Sequence, residues 1–488
     1  MVTLLLSALA CFLLQTAQET TLPTESDYYE IVTLDVPEES PLEVSGLLVL
    51  EDGRPMVCTR RGEVWILDDA YSANGEGVKY TLVTDGLQEP LGLLDLNGWI
   101  YFVQRGELSR MRDTDGDDRA DEIETVCDTW RISGNYHEYN FGPRLGPEGN
   151  LWITTNKPFG QGAFGDVSWR GFALRITPEG RMLPTCSGLR SPAGIANSPT
   201  GDMFYTDNQG EWCGASKLSH LEVGDFHGHP WGIESCKLPA WTHEIPPMPP
   251  DGKPMPEVAK SHPTFKLPAV WFPYDKMGRS PAGMLWDTTA GKFGPFAGQM
   301  FVADQYEASV MRVSLEEIDG HWQGACYPFR EGLQCGALRL AWGQDHSLFV
   351  GETNRGWGSR GTRTEGLERL VWSGEMPFEV LAMEAMPQGF RLRFTSPAEA
   401  KSASESSAYK LSSYTYLLHS PYGSPEVQTE TLKVTEARVS KDQLSVELVV
   451  EGLREGYVHE LHADGVRATN GHPLLHPEAY YTLIHRPK

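Results

Sequence analysis

Residues 134–156 read GNYHEYNFGPRLGPEGNLWITTN. The second half is a Gly-Pro-Glu-Gly turn, Gly146 to Gly149, running into Leu151-Trp152-Ile153-Thr154-Thr155. Such a turn feeding an apolar and β-branched run predicts a loop entering a strand. The first half is a polar loop carrying His137, Glu138 and Asn140. The strand half recurs along the chain and the histidine-bearing half does not. Repetition marks scaffold, and the single departure from it marks a candidate site.

The recurring unit is Gly-x-apolar-aromatic-β-branched. It returns as GRPMVCTRRGEVWIL from Gly53, GWIYFVQRGELSRM from Gly98, GDMFYTDNQG from Gly201, GQMFVADQYEASVMRV from Gly298 and HSLFVGETNRG from His346. A second echo precedes most copies: Ser45-Gly46-Leu47, Leu91-Gly92-Leu93, Ala193-Gly194-Ile195, Ala282-Gly283-Met284 and Gly336-Ala337-Leu338. The period is about 45 to 52 residues, with one interval roughly twice as long, which matches one four-stranded propeller blade per repeat. The count predicts an all-β, six-bladed β-propeller over residues 30–375. The long interval holds residues 225–275, with IPPMPPDGKPMPE from Ile245 to Glu257. Proline removes ladder donors, so this stretch reads as an insertion over one face, either a lid or an extended loop. From Met376 the repeat stops, and alternating runs such as TLKVTEARVSKDQLSVELVV predict an immunoglobulin-like or fibronectin-like β-sandwich over residues 378–488, with Ser402–Ser407 as a loop.

A formal net charge of −25 argues against nucleic acid and anionic membrane as partners, because both require a cationic surface. Residues 2–14, VTLLLSALACFLL, are too short to span a bilayer and predict a signal peptide over residues 1–17, hence an exported protein with no transmembrane segment. A lipid-modified Cys11 is the alternative. Cleavage leaves Cys58, Cys127, Cys186, Cys213, Cys236, Cys326 and Cys335, an odd set. Cys326 with Cys335 and Cys213 with Cys236 are the pairs nearest in sequence.

Several stretches carry candidate chemistry. Asp113, Asp115, Asp117, Asp121 and Glu124 surround Gly116, an acidic turn of the kind that supplies oxygen ligands to calcium; a solvated acidic hairpin is the plain alternative. His137 lies just before an inner strand, where propeller loops converge on the central channel, and a neutral imidazole there can take a hydroxyl proton. Arg355, Arg360, Arg363 and Arg369 cluster in a glycine-rich stretch suited to a multi-carboxylate cofactor or an acidic sugar; arginines pairing with surface acids is the plain alternative, and both readings extend to Arg339, Lys276 and Arg279. Asp207-Asn208-Gln209 follow one strand in the register that Asp304-Gln305 and Glu352-Thr353-Asn354-Arg355 hold after two others. These residues either form a shared polar site or bridge blades. His227 and His229 are read as turn residues rather than as a metal pair.

The repeats, the His137 loop, RSPAGIANSPTGDMFYTDNQGEW and GRSPAGMLWD with GPFAGQMFVAD together resemble the glucose/sorbosone dehydrogenase family of six-bladed propellers, and more closely its exported planctomycete-type branch with DTDGD loops. The resemblance covers about residues 30 to 375. It implies pyrroloquinoline quinone (PQQ) and calcium over the channel, a sugar or polyol substrate, a separate electron acceptor, and a histidine taking the hydroxyl proton while hydride passes to the quinone. By position that histidine is His137. The family's glycine pair and arginine after the histidine are replaced here by Glu138-Tyr139-Asn140-Phe141. The resemblance assigns the quinone carboxylates to Arg355 and Arg360; Asn208 and Gln209, from their strand-end register, and Arg339, as a nearby cation, complete the expected cofactor-binding set.

Three functions follow as expectations. The first is a quinone-dependent sugar or polyol dehydrogenase. The second is a non-catalytic carbohydrate- or partner-binding propeller. The third is a calcium-dependent lactonase-type hydrolase, which needs an ion held by residues such as Glu352, Asn208 and Asp207.

Overall fold

The structure, a computed structural model, describes residues 22–37, 40–159 and 167–488; the expected signal peptide, residues 1–17 with Cys11, lies outside them. Five separate four-stranded antiparallel sheets are present. Six strands line the axis: Val44–Val49, Leu93–Leu96, Asn140–Leu145, Pro192–Asn197, Pro281–Trp286 and Ala337–Trp342. They touch one another in cyclic order, the last returning to the first, so the sheets stand as a propeller-like ring. Tyr29–Thr33 pairs with Glu365–Trp372 and thereby completes the sheet that begins at Ala337. No helix among the described residues is long and apolar enough to cross a membrane.

The glycine echo has a steric cause. A Cβ on Gly46 would lie 2.9 Å from the Cα of Gly92, one on Gly92 2.1 Å from the Gly142 carbonyl oxygen, and one on Gly194 1.9 Å from the Ala282 carbonyl oxygen. Neighbouring inner strands approach so closely at the axis that only glycine fits. Below the upper face, Phe141 packs with Leu91, Ala193, Ala282 and Leu338 from four other inner strands or their leading turns. The channel is therefore plugged by apolar side chains, and a site has room only above the plug.

The remaining sheet departs from the expected tandem plan. Pro281–Trp286, Met300–Asp304, Ser309–Ile318 and His321–Arg330 form a four-strand meander that runs on through Glu478–Leu483 into the C-terminal strands, giving one 11-stranded sheet. Gly324, Ala325 and Cys326 pair with Thr482, Tyr481 and Tyr480. The C-terminal strands enclose their own core of Phe390, Leu392, Val446, Leu448, Leu461 and Tyr481. Arg312, fully buried over Phe296 and Tyr327 at 4.1 and 4.3 Å, donates to the Val380 and Leu381 carbonyls at 2.8 and 2.9 Å and ties the ring to the strand Val380–Met386.

Two further expectations change. The insertion is neither lid nor plain loop. Met255–Ser261 is helical, Val270–Phe272 is the outer strand of the fourth sheet, and Met255, Val258 and Trp271 pack against Tyr414, Tyr416 and Tyr480. Apolar residues flanking the prolines thus wedge it between the ring and the C-terminal strands. All seven cysteines among the described residues are free and buried, so neither suggested disulfide forms. Cys326 lies within 3.5 Å of the Trp271 carbonyl, whereas Cys335 lies 3.1 Å from Asn354 Oδ1. Within Ser402–Ser407, part is helix (Ala400–Ser404) rather than loop.

Candidate functional site

The turns that lead into the inner strands meet at one end of the ring. Arg-Ser-Pro-Ala-Gly occurs twice, from Arg190 and from Arg279, and brings the same arginine-serine pair to the mouth from adjacent sheets. Asp207, wholly buried, holds the first turn by accepting from the amides of Arg190 at 3.0 Å and Ser191 at 2.7 Å. Asp304 holds the second by accepting from the Ser280 amide at 2.8 Å. Burial pushes Asp304 up to about 6 against the amide bonds it accepts. These strand-end carboxylates therefore brace their own sheets and do not reach a ligand.

His137 faces this mouth together with Asn208 and Arg355. Its Nδ1 lies 2.8 Å from the Lys157 carbonyl, which can only accept, so Nδ1 carries the proton. Nε2 is then the bare acceptor, 3.0 Å from Ser191 Oγ. Asn156 Nδ2 donates to the same Oγ at 3.3 Å. Burial holds the imidazole pKa down to about 3, with Arg190 and Lys157 pressing the same way against the Lys157 carbonyl bond. The ring is neutral at ordinary pH and has one lone pair to offer.

Around it the charge is opposite to that of the whole molecule. Glu89 is shared by Arg60 and Arg105, Glu43 by Arg61 and Arg355, Glu307 by Arg279 and Arg360, and Glu211 by Arg190 and Lys157. Each of these glutamates thus serves two cations, and Asp275 adds one more acid on Arg279. The rim keeps a positive surplus in a chain of net charge −25. Burial raises Glu211, but Arg190 and Lys157 outweigh it and hold the carboxylate below its usual range.

Four buried polar atoms on the lining residues have no hydrogen-bond partner among the described residues: Asn156 Oδ1, Asn208 Oδ1, Arg190 Nη2 and Arg279 Nε, the last facing Glu307 at 3.3 Å as an ion pair. Leaving each unpaired costs about 1–3 kcal/mol, more when charged, and at the mouth these are atoms whose bonds a ligand or water can supply. Two acceptors and the His137 lone pair call for hydroxyl donors, and the guanidinium calls for an anion. The room at the mouth is about 140 Å³ and opens to solvent. Tyr139, with the Arg60 and Arg105 guanidiniums at 4.7 and 4.8 Å from its ring, and Phe141 occupy the space over the axis. A larger cavity of about 370 Å³ lies by the insertion, but there Lys266 is already paired with Glu222 and Asp225.

Other expected residues fall elsewhere. Arg360 is exposed on Glu307 at the rim. Gln209 is buried beneath the mouth and donates to the Gly214 carbonyl at 3.1 Å. Arg339 lies deeper, donating to the carbonyls of Ala193, Leu338 and Leu91 at 2.9, 2.7 and 3.0 Å. Arg369 pairs with Asp345 and Lys276 with Glu460, both away from the mouth. Glu138 accepts from Ser133, and Asn140 bonds Arg170, so both shape the loop.

In the acidic turn, carboxylate oxygens of Asp113, Asp115 and Asp117 lie within 4.8 Å of one another on an exposed hairpin. Asp121 instead accepts from Thr114, and Glu124 pairs with Arg110, because the strands Leu108–Arg112 and Glu122–Cys127 have already begun to pair there. Of the residues proposed for a lactonase-type ion, Asn208 donates to the Ser191 carbonyl at 2.9 Å. Asp207 is engaged with amides, and buried Glu352, its pKa pushed well up by burial and by Glu368, stands beside Gln334 instead. His229 Nδ1 accepts from the Trp231 amide as a cap. Sequence reasoning missed Arg60, Arg190, Ser191, Asn156 and Tyr422; the doubled Arg-Ser-Pro-Ala-Gly motif was the available signal.

Residues 33–226 match a family model described as a domain of unknown function (DUF7133). No curated protein matches the chain. Among solved structures, a Trichoderma reesei carbohydrate-active enzyme of family AA12 is 12% identical, with 72% of this chain and 98% of that chain covered at a TM-score of 0.50. The PQQ-bound aldose sugar dehydrogenase of Streptomyces coelicolor is 16% identical, with 72% and 99% covered at 0.48. The soluble aldose sugar dehydrogenase of Escherichia coli in its apo form is 16% identical, with 71% and 100% covered at 0.46. At 12% identity the likeness to the Trichoderma reesei enzyme is one of fold alone.

Proposed function

We propose that the mouth is a reaction site for a hydroxylated, carboxylate-bearing small molecule of the acidic sugar or polyol class, in an exported protein built like the sugar dehydrogenases. In this reading residues 30–375 form a six-bladed propeller in which Pro281–Arg330 is the fifth blade, and residues 378–488 form an attached β-sandwich. The observation that carries the proposal is the combination of unpaired acceptors and a cationic rim around one neutral histidine. His137 Nε2 accepts the proton of the substrate hydroxyl, displacing Ser191 Oγ, while Arg190 and Arg355 hold the carboxylate. Taken as a dehydrogenase, the protein would pass the carbon-bound hydrogen as hydride to a separate two-electron acceptor.

PQQ, the acceptor that the family resemblance implies, meets the residues only in part. Its carboxylates suit the arginines. Three fused rings do not suit about 140 Å³, under half of the ~300 Å³ at which small-molecule pockets commonly begin. Tyr139 and Phe141 line this room and bound it over the axis. No step is therefore routed through the quinone. Calcium at Asp113, Asp115 and Asp117 belongs to this proposal as a brace for the hairpin.

The test is calorimetric titration of the purified chain with galacturonate and with PQQ plus calcium, followed by dye reduction across neutral and acidic sugars. Uronate binding that disappears in Arg190→Met supports the reading. Micromolar PQQ binding with turnover of neutral aldoses would replace it with the family's own chemistry.

A further inference from the structure

Among the described residues three aromatic side chains are largely exposed: Tyr136, Trp357 and Tyr422, at 58%, 47% and 53%. All three stand on the mouth of the His137 site, and they come from three distant parts of the chain. Exposed aromatic surface is unfavourable in water, and a cluster of it beside charged groups marks a contact surface. Tyr422 belongs to the C-terminal region. Its loop is fixed to the ring by main-chain bonds from the Trp212 amide to His419 O at 2.8 Å, from Gly423 to Gly210 O at 3.1 Å and from Ser424 to Gly214 O at 2.8 Å. Its ring lies 5.2 Å from the Arg190 guanidinium, which has Phe159 at the same distance. A side chain placed this firmly at a mouth, yet left half bare, is set to receive something.

We infer that the site takes an anionic oligosaccharide, its terminal unit at His137 and its following units on an aromatic rim completed by Tyr422. The inference rests on the reading of the mouth as an acidic-sugar site and extends it. The floor has room for about one sugar ring, and its unpaired acceptors select hydroxyl donors. Platforms outside that floor are of use only to a ligand that continues beyond it. Sugar rings present flat C–H faces that pack on aromatic rings, and the surplus of rim arginines suits a carboxylate on more than one unit. The C-terminal region is then part of the recognition surface, and Tyr422 is a specificity residue rather than a catalytic one.

The experiment is calorimetric titration of the full chain with galacturonic acid, its trimer and an uncharged glucose trimer, repeated with Tyr422→Ala, Tyr422→Phe and Trp357→Ala. The acidic trimer is expected to bind at least tenfold tighter than the monomer and than the uncharged trimer. Each alanine variant should cut the trimer-to-monomer ratio roughly three- to tenfold, while Tyr422→Phe, which keeps the ring, should preserve it. Equal affinities for monomer and trimer would overturn the rim assignment and leave the one-ring site standing. Absence of binding by every sugar would overturn both. Binding of an adenine nucleotide with the same dependence on Tyr422, in place of the trimer, would reassign the rim to base stacking.

Discussion

Arg339 and Arg190 are both buried, at 5% and 3% exposure, and both lie beside inner strands of the ring. They differ in what their nitrogens do. Arg339 donates to three carbonyls from three parts of the axis and has no carboxylate beside it; burial and the nearby Arg144 hold its pKa down to about 9. Arg190 is stacked between two aromatic rings, pairs with Glu211, and keeps Nη2 unbonded. The axis is thus a region where polar groups are satisfied by the chain itself, and the mouth is one where they are not. Burial alone does not tell a structural arginine from a recognising one, and an unmet bond counts only at the mouth, since Arg312 Nε and Arg369 Nε are unbonded in structural positions.

The widest test of that contrast is at the axis. Gly194→Ala places a methyl 1.9 Å from the Ala282 carbonyl oxygen, and the backbone shift it forces should remove about 3 kcal/mol or more of stability in urea unfolding. Arg339→Met leaves three carbonyls unbonded and should cost about 3 kcal/mol, with uronate affinity unchanged in the folded protein. Arg190→Met should do the reverse, losing tenfold or more in uronate affinity with a stability change near 1 kcal/mol. If the two arginine variants behave alike, the distinction between axis and mouth fails.

A subtler effect concerns pH. With a native pKa near 3 against 6.5 for a free imidazole, His137 stays neutral while the unfolded chain takes up a proton between those values. Its contribution to stability is therefore fully present above pH 6.5 and is lost as pH falls towards 3. Ligand binding should show no inflection near 6.5, and a clear one there would mean that the imidazole is wetter than its contacts imply. The smallest expected change is at the acidic turn. Millimolar calcium should raise the melting temperature by a few degrees, and Asp113→Asn should erase that rise without touching the mouth.

The scaffold was readable because it repeats: each strand copy and each glycine echo is a local pattern with one steric cause. His137 stood out because it broke the pattern. The rest of the mouth was harder to see, since Arg60, Asn156, Arg190 and Tyr422 each look ordinary in their own stretch and acquire meaning only when the ring brings them together. Arg339 was read as a ligand contact because position near the axis was legible and depth was not. The junction between His321–Arg330 and Glu478–Leu483 was hidden for a related reason. Edge pairing between distant strands depends on which edges tertiary packing leaves open, and neither run advertises its partner.

The first strand of the ring closes the last sheet: Tyr29–Thr33 pairs with Glu365–Trp372, and Glu25 just before it meets His476 at 3.0 Å. A chain made from its amino end must therefore keep its opening segment unpaired until Trp372 has left the ribosome. For most of synthesis the growing chain is an open arc with a bare edge at either end, which is the stage at which this protein would need a chaperone's shelter.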